Sequence, residues 1–379
     1  MPSVRPPVFP CDCPPAVSHS VLRPPPDGPL LWWVVRAPDA WCVVAGEDVT
    51  VDDVAAMRRA MELAAAVRML TSPNPWVGCV IVPAISGSTP IEGATAQVGG
   101  PHAEAAALSR AGQAARGATL YSTLEPCSHQ GRTPPCVDAI IAAGVARVVV
   151  GVADPDVKVA GQGIDALRQA GVEVTVGVEA SAVAEQLAPY LKHRRSGMPW
   201  VVLKMAASLD GRTAAPDGTS RWITGEAARR DVHLLRAQSD AVLVGAGTVR
   251  ADDPELTVRL NDDGADRQPL RVVLGRAPEG ARVLPALELS GPLDEVLADL
   301  GRRGVLQLLV EGGAHVAHAF HAAGLVDRYV LYLAPMLFGG DDGRPLFAGP
   351  GAGTIGGVWK GRVLSVDRLG EDLRVEVAA

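Results

Sequence analysis

The sequence predicts two α/β domains in series, and three observations support this prediction. The chain has 379 residues, which is more than one hydrophobic core usually accommodates. Short apolar runs typical of buried strands alternate with helical segments in both halves of the chain. A polar segment at 193–197, with the sequence His-Arg-Arg-Ser-Gly, predicts a hinge between the two series. We therefore expect one domain over residues 51–195 and a second over 199–379.

Residues 1–50 are rich in proline and show no sustained periodicity, so we predict a disordered extension. From Val51 the pattern changes, and apolar spacing near 3.6 predicts a helix that ends before Pro73. Pro101 and Gly117 stand where a second helix should begin and end. The first half predicts helices over 53–70, 102–115, 137–143 and 179–192, and strands over 77–82, 119–124 and 146–151. Their alternation predicts a sheet with helices on both faces.

The second half shows the same alternation, with no repeated period that relates it to the first. Apolar runs predict five strands, over 201–206, 241–245, 270–274, 305–310 and 328–335. Helical patterns predict three helices, over 226–237, 293–300 and 314–323. We therefore expect a second α/β sheet.

Composition and charge narrow the class of protein. Apolar residues make up 48% of the chain and charged residues 20%, which is typical of globular domains. With a net charge of −7 and no Lys/Arg block, the chain lacks the electrostatic footprint of non-specific nucleic-acid binding. Charged residues and prolines interrupt the most apolar early stretch, 30–46, so we expect no membrane span. We expect a cytoplasmic protein whose six cysteines are metal ligands or buried thiols rather than disulfides.

The strongest signal for chemistry is a histidine, glutamate and cysteine pattern in the first half. His102 and Glu104 open a helix, and Cys127 and Cys136 bracket a segment that follows Pro126. One imidazole and two thiolates form a three-ligand zinc site with an open fourth position, which is typical of catalytic zinc. Glu104 is poorly placed to ligate the same ion but can carry protons during hydrolytic deamination. The alternative is a structural zinc site that only holds a loop in place. Such a site usually has four protein ligands and would not require Glu104.

The loop between the two cysteines is long. Eight residues separate them, whereas the zinc deaminase signature has two. The loop carries Ser128, His129 and Arg132. With both ends held by zinc, these side chains are suited to bind an anionic group such as a substrate phosphate.

These first-half motifs resemble one family of deaminases. Asn74-Pro75-x-Val77-Gly78, His102-Ala103-Glu104 and the segment from Pro126 to Cys136 are similar to the diaminohydroxyphosphoribosylaminopyrimidine deaminases. The resemblance implies a cytidine-deaminase-like, three-layer α/β/α domain. It implies that Glu104 is catalytic, that zinc is bound by His102, Cys127 and Cys136, and that substrate is contacted by Asn74, Ser128, His129 and Arg132.

Polar residues and glycines follow several strands of the second half. They lie in the segments Lys204–Gly211, Ser220–Thr224, Gly245–Thr248 and Asp252–Arg259. Val310-Glu311-Gly312-Gly313 links a strand to a helix, whose bare backbone amides can receive a phosphate. This pattern suits a dinucleotide, although glycines after strands are also ordinary turn residues.

In this order the second-half motifs resemble the reductase half of bifunctional riboflavin-pathway enzymes that contain the same deaminase. The resemblance implies a dihydrofolate-reductase-like α/β domain that uses NADPH to reduce a ribosyl group to ribityl. It implies NADPH contacts by Ala206, Trp222, Thr248, Asp252 and Gly313. It implies substrate contacts by Lys204, Asp210, Ser220, Arg236, Leu256, Arg259 and Glu311.

We therefore expect a bifunctional enzyme of riboflavin biosynthesis that uses one Zn²⁺ per chain and NADPH. Its expected partner is a small phosphorylated pyrimidine, with no nucleic acid and no membrane, and assembly into a homo-oligomer is compatible with this interpretation. Two alternatives stay open. One is a zinc nucleoside or nucleotide deaminase with a non-catalytic second domain, and the other is a zinc-stapled ligand-binding protein. The acidic charge argues against tRNA as substrate, and the presence of Glu104 argues against binding without turnover.

Overall fold

The computed structural model describes residues 53–129, 134–156, 159–260 and 267–379, together with two strands near the N-terminus. Contacts divide the chain into two compact units, Met1–Glu47 and Asp48–Ala379. In the first unit, β1 (Val35–Ala37) pairs antiparallel with β2 (Ala40–Cys42). The remainder of the predicted extension lies outside the described residues, so its disorder stays a prediction.

The first half of the larger unit contains a five-stranded sheet of order β4-β3-β5-β6-β7. β3 runs antiparallel to β4 and β5, whereas β5, β6 and β7 are parallel. The strands are β3 (Gly78–Val82), β4 (Ile91–Ala94), β5 (Thr119–Leu124), β6 (Arg147–Val152) and β7 (Glu173–Val176). The helices are α1 (Asp53–Thr71), α2 (Ala103–Ala111) with a 3-10 turn (Gly112–Ala115), α3 (Cys136–Ala143), α4 (Gln162–Gln169), α5 (Ala180–Gln186) and α6 (Ala188–Ser196).

Most first-half predictions are confirmed to within a few residues, and two are wrong. The helix expected over 179–192 is divided into α5 and α6, because Pro189 at the start of α6 lacks the N–H that would continue the first helix. The segment at 193–197 is not a hinge, since α6 continues to Ser196. The polar side chains of this segment do not end α6. The helix ends at Gly197, whose φ of 72° is the left-handed conformation common after the last residue of a helix.

An eight-stranded sheet forms the second half, in the order β12-β11-β10-β13-β8-β14-β17-β16. Its first six strands are parallel, and β17 and β16 are added antiparallel. The strands of this half are β8 (Trp200–Ser208), β9 (Arg212–Ala214), β10 (Ala241–Gly245), β11 (Leu270–Leu274), β12 (Leu287–Leu289), β13 (Gln307–Val310), β14 (Arg328–Ala334), β15 (Arg344–Pro345), β16 (Arg362–Leu369) and β17 (Asp372–Ala378). The helices are α7 (Glu226–Ala237), α8 (Ala246–Asp252), α9 (Leu293–Arg302) and α10 (Ala314–Ala322), with a 3-10 turn (Ile355–Gly357).

All five strands and three helices predicted for the second half are present. The large sheet has an apolar cluster on each face, because successive strand residues point to opposite sides. Val201 and Leu203 pack with α9 and α10 on one face, whereas Val202 packs with α7 on the other. The result is a three-layer α/β/α arrangement. None of the described helices is long and apolar enough to cross a bilayer.

The two halves meet at an extensive junction. Leu306, from the second half, is buried in the hydrophobic core of the first. Lys192 Nζ lies 2.6 Å from Asp327 Oδ2, and His193 Nε2 lies 3.0 Å from the carbonyl oxygen of Gly301. A Cβ on Gly301 would lie 1.8 Å from the carbonyl oxygen of Gly197. Contact with neighbouring backbone therefore excludes a side chain at this point of α9.

Gly301→Ala tests how tightly the junction is packed. Glycine to alanine inside a helix ordinarily stabilises by about 1 kcal/mol. Here we expect a net loss of about 1–3 kcal/mol in the free energy of unfolding, because backbone must shift to admit the methyl group. Denaturant unfolding measures the loss, with Gly353→Ala as the control, since a Cβ at Gly353 meets open space. An unchanged or raised unfolding free energy would contradict the described packing.

Candidate active sites

The predicted zinc ligands lie together at the ends of three elements. His102 is the residue before α2, Cys127 follows β5, and Cys136 is the first residue of α3. The Nδ1 atom of His102 is 3.5 Å from Cys127 Sγ and 3.4 Å from Cys136 Sγ. All three ligand atoms lie within 4.8 Å of one another. One imidazole and two sulfur ligands in this arrangement suit a tetrahedral zinc ion with one open position.

The electrostatics of the cluster favour a thiolate. The interactions of Cys127 with Cys136 and with the His102 ring lower the pKa of the Cys127 thiol to about 4. The interaction with Cys127 raises the pKa of Cys136, and the contact with Cys127 raises the pKa of His102. These interactions favour the ionised form of the Cys127 sulfur. A thiolate is the form of cysteine that binds metal.

Glu104 lies on the first turn of α2, beside the cluster and almost fully buried. Its Oε1 is 3.2 Å from the hydroxyl of Ser122, and its Oε2 accepts from Cys136 Sγ at 3.5 Å. Burial raises the pKa of this carboxyl group. A raised pKa brings the carboxyl closer to the range in which it can both accept and release a proton at neutral pH.

A cavity of about 320 Å³ opens onto this cluster. Of the residues expected to touch substrate, Asn74 and His129 line the cavity. Ser128 has a buried hydroxyl that finds no hydrogen-bond partner in the part of the chain that the structure describes. Arg132 lies outside the described residues. Sequence reasoning missed other polar residues of the wall, namely Glu125, Asp154, Asp156, Tyr190 and Arg194.

Glu125 supports the cavity wall that follows β6. Its two carboxylate oxygens accept four backbone N–H groups at 2.9–3.2 Å, from Asp154, Gly161, Gly163 and Ile164. The last two amides belong to the start of α4, where unpaired N–H groups favour a carboxylate. A single buried side chain thus positions the segment that carries Asp154. The sequence does not indicate this role of Glu125, because Glu125 lies far along the chain from α4, the helix that it caps.

Cys136→Ser tests the metal cluster. A serine hydroxyl is a poor substitute for a thiolate, so we expect zinc well below one ion per chain and loss of ammonia release. Metal analysis of the purified chain measures the first effect. Cys79→Ala is the matched control, because Cys79 is a buried thiol of β3 outside the cluster. Stoichiometric zinc with full deaminase activity in Cys136→Ser would exclude Cys136 as a ligand.

A second group of polar side chains lies near the carboxyl edge of the large sheet. Leu203 of β8 is in register with Val310 of β13, which places Lys204 beside Glu311. Arg236 of α7 donates two hydrogen bonds to Glu311, at 2.6 and 3.0 Å. The Nζ atom of Lys204 is 4.0 Å from the same carboxylate. Three predicted substrate residues thus form one largely buried charged group, with side-chain exposures of 8–17%.

Burial and ion pairing have opposite effects on the pKa values of Glu311 and Lys204. Burial alone would raise the pKa of Glu311, but the nearby charge and hydrogen bonds of Arg236 hold it below the usual range. Burial lowers the pKa of Lys204 despite the carboxylate beside it. Pairing with Arg236 thus favours the ionised form of Glu311, whereas burial disfavours the charged form of Lys204.

Two of the residues expected to contact NADPH, Thr248 and Gly313, lie at the starts of α8 and α10. Gly313 donates its N–H to the hydroxyl of Thr248 at 3.1 Å, which links the two helix starts. Asp252 is the last residue of α8, and its carbonyl oxygen accepts from Arg221 at 2.7 Å. The adjacent Trp222 is 69% exposed. Ala206 lies on β8, opposite Tyr332 of β14.

The remaining predicted substrate residues are more dispersed. Asp210 follows β8, and the Ser208 hydroxyl and Gly339 amide lower its pKa to about 2. Ser220 is half-buried ahead of α7. Arg259 is exposed and pairs with Glu255.

The side chain of Leu256 is directed into the hydrophobic core, with 3% exposure. Sequence reasoning missed His233, whose Nδ1 lies 3.1 Å from Thr257 O and 3.3 Å from Arg259 N. His233 thereby ties the 256–259 segment to α7. These substrate contacts stay predictions.

Comparison with known proteins finds relatives of both halves of the chain. Residues 50–152 match the cytidine and deoxycytidylate deaminase zinc-binding region, and residues 199–375 match the RibD C-terminal domain. The riboflavin biosynthesis protein RibD of Escherichia coli K12 is 42% identical over 84% of this chain and 96% of its own length. The chain belongs to the RibD family. A second relative, RibD of Mycobacterium tuberculosis H37Rv, is 45% identical over 86% of this chain and 96% of its own length.

Solved RibD structures share the fold. Acinetobacter baumannii RibD superposes with a TM-score of 0.80 at 40% identity, covering 86% of this chain and 98% of the other. A Thermotoga maritima protein, described as a diaminohydroxyphosphoribosylaminopyrimidine deaminase and 5-amino-6-(5-phosphoribosylamino)uracil reductase, gives 0.77 at 33% identity over the same shares. The expected combination of a cytidine-deaminase-like domain with a RibD reductase domain is confirmed. As a RibD family member, this chain uses zinc and NADPH.

Proposed function

We propose that the chain catalyses two consecutive steps of riboflavin biosynthesis. The first is hydrolytic deamination of 2,5-diamino-6-ribosylamino-4(3H)-pyrimidinone 5′-phosphate, and the second is NADPH-dependent reduction of its ribosyl group to ribityl. The observation that carries the proposal is the His102, Cys127 and Cys136 cluster with buried Glu104 beside it. The matched reductase domain in the same chain favours two activities over a single-activity deaminase.

In the deaminase site, His102, Cys127 and Cys136 would hold zinc, which when bound would supply an activated water. Glu104 would take a proton from the attacking water and deliver protons to the ring nitrogen and the leaving amine, so that water enters and ammonia leaves. The Ser122 hydroxyl, which also lies 2.8 Å from the carbonyl oxygen of Leu124, is a polar neighbour of the Glu104 carboxylate at 3.2 Å. Asn74, Ser128, His129 and Arg132 contact the substrate.

In the reductase site, NADPH supplies the hydride that opens the ribose to ribityl. Its contacts are proposed along the carboxyl edge of the sheet, where parallel α/β folds bind ligands, through Ala206, Trp222, Thr248, Asp252 and Gly313. The substrate contacts are proposed at Lys204, Asp210, Ser220, Arg236, Leu256, Arg259 and Glu311. The charged group around Glu311 supports this, because it places donors and an acceptor beside the strand ends.

The domain limits, 51–195 and 199–379, are proposed on the same basis, with support from family matches that end at 152 and begin at 199. A cytoplasmic location and a homo-oligomeric state remain expectations from the sequence.

Both activities are tested with one purified chain. The chain is incubated with the diaminopyrimidine ribosyl phosphate and NADPH, and ammonia release and loss of NADPH absorbance are followed separately. We expect ammonia without NADPH present, and NADPH oxidation that begins only as deaminated product accumulates. Ammonia release with no NADPH oxidation, even when the deaminated intermediate is supplied, would restore the single-activity interpretation. No ammonia from a zinc-loaded chain would exclude the deaminase step.

A further inference from the structure

The cavity beside the zinc cluster contains a cation that no sequence motif indicated. Arg194, on the last turn of α6, lines the cavity together with Asp154, Asp156 and Tyr190. It is the one Lys or Arg side chain among the described residues that line this cavity. The two histidines of the wall, His102 and His129, depend on pH or metal for their charge. Arg194 therefore supplies permanent positive charge on this part of the wall.

The contacts of Arg194 hold the side chain without satisfying all its donors. Its guanidinium stacks on the ring of Tyr190, 5.0 Å from the ring centroid. Its Nε is 3.6 Å from Asp156 Oδ2, an ion-pair distance, and has no hydrogen-bond partner among the described residues. About a third of the side chain is exposed. The contact with the Tyr190 ring restrains the guanidinium, so that less conformational entropy is lost when an anion binds.

The neighbouring carboxylates do not neutralise Arg194 by close pairing. Glu125 accepts four backbone amides. Asp154 accepts the Tyr190 hydroxyl at 2.9 Å and the amide of Asp156 at 2.9 Å. Only Asp156 reaches Arg194, and it does so beyond hydrogen-bond distance. A planar guanidinium with unused donors matches two oxygens of a phosphate.

We infer that Arg194 binds the phosphate of the deaminase substrate, in addition to the residues of the cysteine loop. This inference rests on the proposed function, since a phosphorylated pyrimidine must occupy the cavity. Arg194 holds the phosphate end of the substrate while Glu104 and the zinc ligands face the amine that is lost. The residue is a substrate-binding residue and takes no part in proton transfer.

The test compares two substrates in the full chain, the diaminopyrimidine ribosyl phosphate and the same compound without its phosphate. In the unaltered chain the phosphorylated compound should have the lower KM. Arg194→Gln should raise the KM for the phosphorylated compound about ten-fold or more, because a charge-assisted hydrogen bond is lost. Its kinetics with the phosphate-free compound should change little. Arg194→Lys, which keeps the charge, should recover part of the preference.

Arg195→Gln is the matched control, because Arg195 is the next residue of α6 and is exposed. Zinc content and NADPH oxidation with the deaminated intermediate should be equal in all variants. If Arg194→Gln lowered activity equally with both substrates, Arg194 would only hold the wall together and the inference would be overturned. If the unaltered chain released ammonia from neither compound, the proposed deaminase function would fail first, and the inference with it.

Discussion

Glu104→Gln is expected to abolish ammonia release while the chain retains zinc. Glutamine has nearly the same shape but cannot accept and release the proton that the reaction moves twice. General acid/base catalysis typically contributes about 10²-fold to 10⁴-fold, so the deamination rate should fall by two to four orders of magnitude. Because Glu104 contacts Cys136 but is not part of the three-ligand cluster, metal analysis should still find one zinc per chain.

Two measurements separate this effect from unfolding. NADPH oxidation by Glu104→Gln, with the deaminated intermediate supplied, should match that of the unaltered chain. Glu173→Gln, at a strand residue whose side chain is 71% exposed, should leave both activities unchanged. A Glu104→Gln chain that released ammonia at more than about a tenth of the normal rate would show that another group moves the protons.

Glu311→Gln should give the largest loss of stability. Removing one partner of a buried charged group leaves the other uncompensated, which costs about 3–5 kcal/mol. Here both Arg236 and Lys204 would lose their carboxylate. We expect a fall of that size in the free energy of unfolding at neutral pH, measured with denaturant. The Arg368–Glu371 pair is well exposed, so Glu371→Gln should cost less than about 1 kcal/mol.

The effect of Glu311→Gln should depend on pH. The pKa of Glu311 is lower in the folded chain than its usual value. Its contribution to stability is therefore present above the unfolded pKa and is lost as pH falls through the folded pKa. The difference between the two chains should shrink in acid. A difference that stayed constant from neutral pH into acid would show that lost packing, rather than lost charge, causes the destabilisation.

The zinc cluster was predictable because its chemistry leaves a local pattern. His102 and Glu104 are two residues apart, and the cysteines bracket one loop, so residue types and spacing identify the site. The apolar runs of the buried strands were equally clear. The strands β4 and β7 were missed because they are short and only partly buried, which leaves little hydrophobic signal.

The wall of the deaminase cavity could not be predicted from the sequence. Arg194 comes from a helix about sixty residues after the last zinc ligand, and nothing in its neighbourhood shows that it lies beside Asp156. Glu125 caps a helix nearly forty residues away. Such contacts arise from tertiary packing alone. Likewise, the apolar and charged neighbours of Leu256 do not reveal that its side chain is directed into the core.

Expression of the two catalytic halves as separate proteins would be hindered by the position of α6. The helix contributes Tyr190 and Arg194 to one catalytic cavity, while its Lys192 and His193 bind the other half. A chain cut after Ser196 would keep Lys192 and His193 but lose their partners, Asp327 and Gly301. It would also lack Leu306, which fills a position in the hydrophobic core of the first half. Engineers who want a free-standing deaminase would therefore have to replace this surface with polar residues and refill that core position.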